Sequence, residues 1–432
     1  MRIGIVGGGV AGLGSAYFLA EAGHQVEVFE QAATLGGLAG CFDFNGVPVE
    51  KYYHFICRDD DDLLAMLRRL GLQNEVEWRP GQMRFFYAGQ LYRFGTPWDL
   101  LRFRPLSLRE RVRFGLNVAL SRSAKSWERY ESMTARDWLI AQIGARAYEV
   151  IWEPLLRIKF GPYYEQISAS WVWHRIHRVV RSRAHLLARE RLGFLRRGTS
   201  ALLDALVAEL QRRGVGLRTG VPVDAITVGP RGVTGLTVGG VHQPFDAVVS
   251  TAPLPLLARL LPPAAAEQLG DLTGIEYITV VCLIMKLRQP VTDGFWINVH
   301  DPRVPFNGFI EYTNLNPRAD AARPYLLYVP FYLPPGDARF AQPDAELLRD
   351  CLAGLRVVRP DLTDDWVLGY RVFRERFAQA ICTTNFAARI PPVRTRIPGL
   401  LMTDSTQLYP SDRTISGMFG QARRVAELLA TR

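Results

Sequence analysis

Arg2-Ile3-Gly4-Ile5-Val6-Gly7-Gly8-Gly9-Val10-Ala11-Gly12 stands at the head of the chain, and an alanine- and leucine-rich run to about Ala22 leads into Val26-Glu27-Val28-Phe29-Glu30. The order is apolar strand, glycine turn, helix, second strand, acid. Each part has a physical task. Gly7 allows a sharp turn, Gly9 lets the backbone approach a pyrophosphate, and Gly12 lets the helix pack closely on the sheet. The helix start offers free N–H groups and a partial positive charge to phosphates. Glu30 is placed to accept hydrogen bonds from a ribose 2′-hydroxyl and to repel a 2′-phosphate, which disfavours NADP. The reading is a Rossmann-type dinucleotide site.

The next residues, Gln31-Ala32-Ala33-Thr34-Leu35-Gly36-Gly37-Leu38, carry a second glycine pair just past the acid. Near the other end, Pro398 to Asp404 reads as a strand ending in an acid, and Thr414-Ile415-Ser416-Gly417-Met418 opens a last helix. With these motifs the chain resembles the amine oxidase, protoporphyrinogen oxidase and phytoene desaturase superfamily of flavoproteins. The resemblance implies FAD as cofactor. It implies that Gly36, Gly37 and Leu38 run beside the phosphates and ribityl chain, and that Asp404 contacts the ribityl or pyrophosphate part. It also implies that the helix start at Ser416, Gly417 and Met418 points N–H groups at the flavin, where a helix N-terminus stabilises the charge of reduced flavin. Middle segments agree. Arg191–Phe194 and Gly198–Leu202 resemble the family's glycine turn and helix, Val223 falls at its adenine-contacting position, and Asp246–Pro253, with Thr251, matches the returning strand and turn.

Composition sets bounds. The chain has 432 residues, 48% hydrophobic and 22% charged, which suits two domains with real cores. The five cysteines are scattered, with no CxxC pair. A disulfide framework or metal site is not expected, and a reducing, cytoplasmic setting is. No apolar run approaches the ~20 residues of a membrane span, and the opening strand leaves no room for a signal peptide. The net charge is +10, and lysine occurs only at Lys51, Lys125, Lys159 and Lys286. Arginines cluster at Arg102, Arg104, Arg109, Arg111 and Arg113, and again at Arg175, Arg178, Arg181, Arg183, Arg189 and Arg191, the latter with His174, His177 and His185. Leu108, Val112, Leu116 and Leu120 recur at helical spacing among the first set, an amphipathic basic helix. It reads either as a solvated face or as a surface for anionic lipid, a peripheral contact on the inner face of the membrane, or for a phosphate-bearing substrate. Nucleic acid is not an expected partner, because no binding module is present.

The fold class is therefore α/β: a discontinuous Rossmann-type FAD-binding domain with an inserted mixed-sheet and helical substrate domain. Residues 1–80, 190–275 and 390–432 are assigned to the first, and 81–189 and 276–389 to the second. The first insert shows helical patterns broken at Pro97, Pro105, Pro154 and Pro162. The second shows strand-like runs at Tyr277–Leu287, Gly294–Asn298, Phe309–Asn314 and Tyr325–Leu333.

In such a protein the cofactor carries the redox chemistry and the chain orients the substrate. Glu50-Lys51-Tyr52-Tyr53-His54-Phe55 resembles the flavin-adjacent segment of the superfamily and the histidine-bearing segment of UDP-galactopyranose mutase. His54 is the candidate catalytic residue, either as an acid/base or as a structural histidine. Trp296, Tyr312, Asn314, Tyr328 and Tyr370 are candidates to line a substrate pocket. The run Trp152–Gly161 is a candidate wall presenting Lys159 or Arg157 to an anionic group. Many amine oxidases hold a strand lysine near the flavin. Cys282 falls at that position here, with Lys286 four residues on and on the same face. That departure shifts weight from amine oxidation toward desaturation, porphyrinogen-type oxidation or alcohol oxidation. The leading reading is an FAD-dependent oxidoreductase moving hydride from a substrate C–H to flavin N5, with an amphipathic or anionic small-molecule substrate. A second is a redox-neutral flavoenzyme of the sugar-nucleotide mutase or isomerase type. A third is a non-catalytic flavin-binding protein. The electron acceptor is not written in the sequence.

Overall fold

The structure, a computed structural model, describes residues 1–121, 126–182, 189–317 and 324–430. Lys125, Arg183 and His185 lie outside the described residues.

Five parallel strands form the first sheet, in the order Leu400–Met402, Ala247–Ser250, Arg2–Val6, Gln25–Glu30 and Gly216–Thr219. Ile3, Ile5, Val28, Ala247 and Val249 are fully buried, as expected of a parallel sheet covered on both faces. The helix Val10–Glu21 packs against the closing helix Ile415–Ala430. Gly14 makes that approach possible: a Cβ there would lie 2.9 Å from Ala422 Cβ and 3.0 Å from Phe419 Cδ1. Segments more than 400 positions apart thus share one core. A three-stranded antiparallel sheet, Ala225–Gly229, Gly232–Val238 and Val241–Pro244, lies beside it.

The second large sheet has seven strands, ordered Val367–Ala380, Tyr277–Leu287, Tyr325–Leu333, Gly308–Glu311, Trp296–His300, Met83–Tyr87 and Gln90–Arg93. All pairings are antiparallel except Trp296–His300 with Met83–Tyr87. Period-2 alternation divides Tyr277–Leu287 cleanly. Val281, Leu283, Met285 and Leu287 pack toward Leu347, Cys351 and Leu355 of the helix Asp344–Val358. Cys282 and Ile284 pack toward Phe44, Val49 and Tyr328 on the other face. The strands of the parallel sheet all lie within residues 1–80, 190–275 and 390–432, and those of the mixed sheet within 81–189 and 276–389.

Two local expectations are corrected. Pro97 and Pro154 do not break helices. Pro97 sits in the first turn of Pro97–Leu101, where the missing N–H costs nothing, and Pro154 follows directly on the π-helical turn Tyr148–Trp152 within a helical run that continues to Phe160. The strand expected over Phe309–Asn314 stops at Glu311, and Tyr312–Leu315 turns into a short helix. The Asn314 amide causes the stop, because it donates to the carbonyls of Thr292 and Gly294 and to the Glu311 carboxylate.

Candidate active site

The three glycines of the opening motif differ in what demands them. Gly7 has φ +104°, and a Cβ there would lie 2.4 Å from Thr251 Oγ1. A Cβ on Gly12 would lie 1.9 Å from the Gly7 carbonyl oxygen. Packing explains both. Gly9 has φ −73°, open to any residue, and its nearest neighbour would be Gly37 Cα at 3.9 Å. Nothing inside the protein requires glycine at that position, whereas a phosphate group approaching the backbone does. The helix Val10–Glu21 begins there without a side-chain cap or an acid in its first turn. Among the described residues, the N–H groups of Val10, Ala11 and Gly12 have no hydrogen-bond partner. The second glycine pair sits directly opposite: Gly36 N–H donates to Gly8 O at 2.8 Å, and Gly36 and Gly37 both have positive φ, +107° and +55°. Leu38 continues that turn in the helical stretch Gly37–Ala39. These residues fit a dinucleotide's pyrophosphate.

Glu30 is more occupied than its assigned role implied. Its carboxylate accepts from Gly8 N–H at 2.7 Å and Ala32 N–H at 2.8 Å, so it shapes the turn. Val223 follows a segment held to that region, since Gly220 and Val221 N–H donate to Ala32 and Glu30 carbonyls. Thr251 Oγ1 donates to Val6 O and Gly7 O, stapling the returning strand to the motif. Asp404 is 6% exposed and caps the turn Ser405–Leu408, accepting from Thr406 N–H and from the Tyr277 hydroxyl at 2.7 Å. Burial pushes its carboxyl up from the usual range. At the closing helix the expected donors are not the free ones. Gly417 N–H donates to Thr414 Oγ1 and Met418 N–H to Thr414 O, because Thr414 caps the turn. The Ser416 hydroxyl accepts from Leu63 N–H. The N–H groups without a partner among the described residues belong to Ile415 and Ser416.

Glu50 is a hub that sequence reasoning passed over. It is 4% exposed. Its Oε1 accepts from Thr199 N–H, at the start of the helix Thr199–Arg212, and from the Tyr312 hydroxyl. Its Oε2 accepts from His54 N–H at 3.0 Å and lies 3.7 Å from His54 Nδ1. The carboxylate thereby bends Lys51–His54 into a tight loop. His54 lines a small cavity with Glu50, Thr199, Tyr312 and Ile415. Its Nδ1 is buried without a hydrogen bond. Tyr53, next to it, sets its ring edge-on to Trp296 and Tyr328 and its hydroxyl 3.5 Å from the Tyr332 hydroxyl.

Beyond Tyr332 lies a group of charges. Lys159 is 6% exposed, with Nζ 4.8 Å from the Trp171 ring centre and 4.9 Å from that of Tyr332. Burial, then Arg175, lowers its pKa to about 7. Asp412 accepts from Trp171 Nε1, from Gln379 Nε2 and from Arg175. Burial pushes its carboxyl up, but Arg175, Lys159, Arg178 and Arg413 outweigh that and hold it at about 2.

Several expected pocket residues are elsewhere. Cys282 and Tyr328 are fully buried core, and burial pushes the thiol up. Tyr328 donates to Glu50 O and Tyr312 to the Glu50 carboxylate, so both are struts under the His54 loop. Asn314 is committed to its loop, as described above. Tyr370 packs on the opposite face of the sheet, toward the helix Asp344–Val358. Arg157 points outward to Glu153 and Tyr164, unlike Lys159. Lys286 shares the Cys282 face, as alternation requires, but its Nζ donates to Phe44 O at 2.7 Å. Trp296 remains on the Tyr53 side. The sequence signal missed for Asp412 and Arg413 was their place directly before the closing helix, two charges at a turn that must face the motif.

The second arginine cluster divides: Arg175 pairs with Asp412 and Arg178 with Asp60, and the His177 ring stacks on Trp173, while Arg181, Arg189 and Arg191 are exposed. No group of metal-ligating side chains occurs among the described residues, nor any helix long and apolar enough to cross a membrane.

Comparison with known proteins follows the same lines. The 15-cis-phytoene desaturase of Synechococcus elongatus is 24% identical over 320 residues, covering 68% of this chain and 67% of that one. The zeta-carotene desaturase of Synechocystis is 25% identical over 335 residues, covering 70% and 67%. Among solved structures, a protein of Exiguobacterium sp. 255-15 assigned as a protoporphyrinogen oxidase aligns over 99% of this chain and 98% of its own, with TM-score 0.77 and 20% identity. Reduced UDP-galactopyranose mutase aligns over 99% and 95%, with TM-score 0.75 and 16% identity, a likeness of fold. Residues 10–430 match the family described as flavin containing amine oxidoreductase. With a glycine cradle that fits its cofactor, FAD, the chain belongs to that family and is an FAD-dependent oxidoreductase.

Proposed function

We propose that this oxidoreductase removes hydride from a C–H bond of an amphipathic or anionic small molecule, in the manner of a desaturase or porphyrinogen oxidase, while resting on a membrane surface. Residues 1–80, 190–275 and 390–432 hold FAD, and 81–189 with 276–389 hold the substrate. FAD supplies the hydride acceptor. The chain's part is to hold the cofactor, exclude water and align the substrate.

The observation that carries the reading is the Tyr53 corner. The loop that leaves the Gly36–Leu38 turn and passes Glu50 sets Tyr53 against Trp296 and Tyr332, with Phe55 edge-on to Trp296. An aromatic wall suits an apolar substrate body. The one strand lysine on the Cys282 face is bound to Phe44 O, which supports C–H oxidation of another kind over lysine-linked amine oxidation. His54 is proposed as the proton-handling group at this loop. The membrane contact rests on Trp98, Leu108, Val112, Leu116 and Leu120, which are 62%, 64%, 47%, 59% and 69% exposed beside Arg102, Arg104 and Arg109.

The test is anaerobic. The purified protein is mixed under nitrogen with a carotenoid, a porphyrinogen and a nucleotide sugar in turn, and the flavin absorbance is followed. Bleaching by the carotenoid or porphyrinogen, restored by air or a quinone, is the expected result. Turnover of the nucleotide sugar only after pre-reduction, without net electron uptake, would replace this reading with the redox-neutral one.

A further inference from the structure

The charges around Asp412 do not balance. Lys159, Arg175 and Arg413 face this single carboxylate. Its oxygens are already taken: Oδ1 by Trp171 Nε1 and Gln379 Nε2, Oδ2 by Arg175. Lys159 has no hydrogen-bond partner among the described residues, although 94% of it is removed from solvent (6% exposed). Its ammonium is enclosed by the rings of Trp171, Tyr332 and Phe160, at 4.8, 4.9 and 5.5 Å. Arg413 likewise makes no hydrogen bond or ion pair among the described residues, and it lines a small cavity with Gln379, Ser405, Thr406 and Ser411.

A largely buried ammonium without a protein acceptor is costly to keep charged. Aromatic faces repay only part of the lost hydration. A monoanion supplies the missing acceptor and removes one unit of the excess positive charge of Lys159, Arg175 and Arg413 over Asp412. The rings on the same side, Tyr332 and through it Tyr53, belong to the aromatic wall already described. We infer that Lys159 and Arg413 together bind the carboxylate head of an otherwise apolar substrate, whose body lies along Tyr332 and Tyr53. This rests on the flavoenzyme reading for its purpose, though not for its measurement.

The experiment is calorimetric titration of the FAD-loaded protein with decanoate, with decanol as the uncharged probe of equal tail length. Decanoate is expected to bind about tenfold or more tightly than decanol. Lys159→Met and Arg413→Gln should each weaken decanoate by about tenfold and leave decanol unchanged. Raising the pH from about 6 to about 9 should also weaken decanoate for the wild type, because Lys159, at about 7, loses its proton in that window. The other groups facing it are Arg175, Arg413, Asp412, whose carboxyl is held at about 2, and Cys382, whose thiol is pushed far up by burial. The pH effect should vanish in Lys159→Met. Equal binding of decanoate and decanol, or wild-type decanoate affinity in Arg413→Gln, would overturn the site. Absorbance of the same samples reports FAD. A colourless protein that still prefers decanoate through Lys159 would sink the flavoenzyme reading and leave the carboxylate site standing.

Discussion

Two arginine-rich segments that look alike as strings of letters do opposite things in space. In Ala169–Arg181, Arg175 and Arg178 turn inward to Asp412 and Asp60, across the seam between the helical insert and the cofactor side. In Leu108–Ser121 and the turn before it, Arg102, Arg104 and Arg109 stay exposed, and the leucine stripe between them also faces out. Arg111 and Arg113 spend their guanidinium groups on the carbonyls of Leu101, Leu106, Ala141 and Gln142, which anchors the helix with its apolar face outward. The difference lies in the partners. A basic run goes inside where acids from distant parts of the chain meet it, and neither Asp60 nor Asp412 is near it in sequence.

Substitutions can break this comparison. The largest effect is expected from Arg178→Ala, which strands the Asp60 carboxylate, 6% exposed, without its cation. A loss of about 3 kcal/mol in denaturant unfolding is expected. Arg109→Ala should change stability by less than about 0.5 kcal/mol. Similar losses from both would erase the distinction.

The inner segment should also be sensitive to acid. The Asp412 carboxyl is held at about 2, below its ordinary value of 3.8. A depressed carboxyl contributes stability that is fully present above the unfolded value and lost as pH falls toward 2. About 2 kcal/mol should disappear across that window. Asp412→Asn should flatten this part of the profile, and an unaltered profile would remove Asp412 from the account.

The outer segment should respond in binding instead. Replacing Leu108, Leu116 and Leu120 together by serine should weaken co-sedimentation with phosphatidylserine-containing vesicles by about 2 kcal/mol or more, without loss of fold. Loss of fold rather than of binding would mean that the stripe is core. The smallest effect belongs to the arginines: Arg104→Gln and Arg109→Gln should each cost about 1 kcal/mol of vesicle binding at low salt and little at high salt.

Much of the fold was legible because local signals coincide with what the chain does locally. The strand, glycine turn, helix and acid of Arg2 to Glu30 form as written, and Tyr277–Leu287 alternates between two cores as its pattern requires. The candidate site was less legible, for a physical reason. Whether Tyr328 is a wall or a strut depends on its partner, Glu50, which is 278 positions away. Asn314 looked like a ligand contact because its amide is polar on an aromatic strand, yet the same amide ends that strand. The leucine stripe was visible, but its direction is set by arginine contacts that no periodicity records.

Gly9 offers the most direct test of the central claim, that the two ends of the sequence and the second glycine pair close around FAD. A Cβ there strains no backbone angle and meets nothing closer than Gly37 Cα at 3.9 Å, so Gly9→Leu is expected to fold with the stability of the cofactor-free protein. It should purify colourless and take up no FAD, while the wild type is yellow with one FAD per chain. A folded Gly9→Leu protein carrying a full complement of FAD would contradict the account.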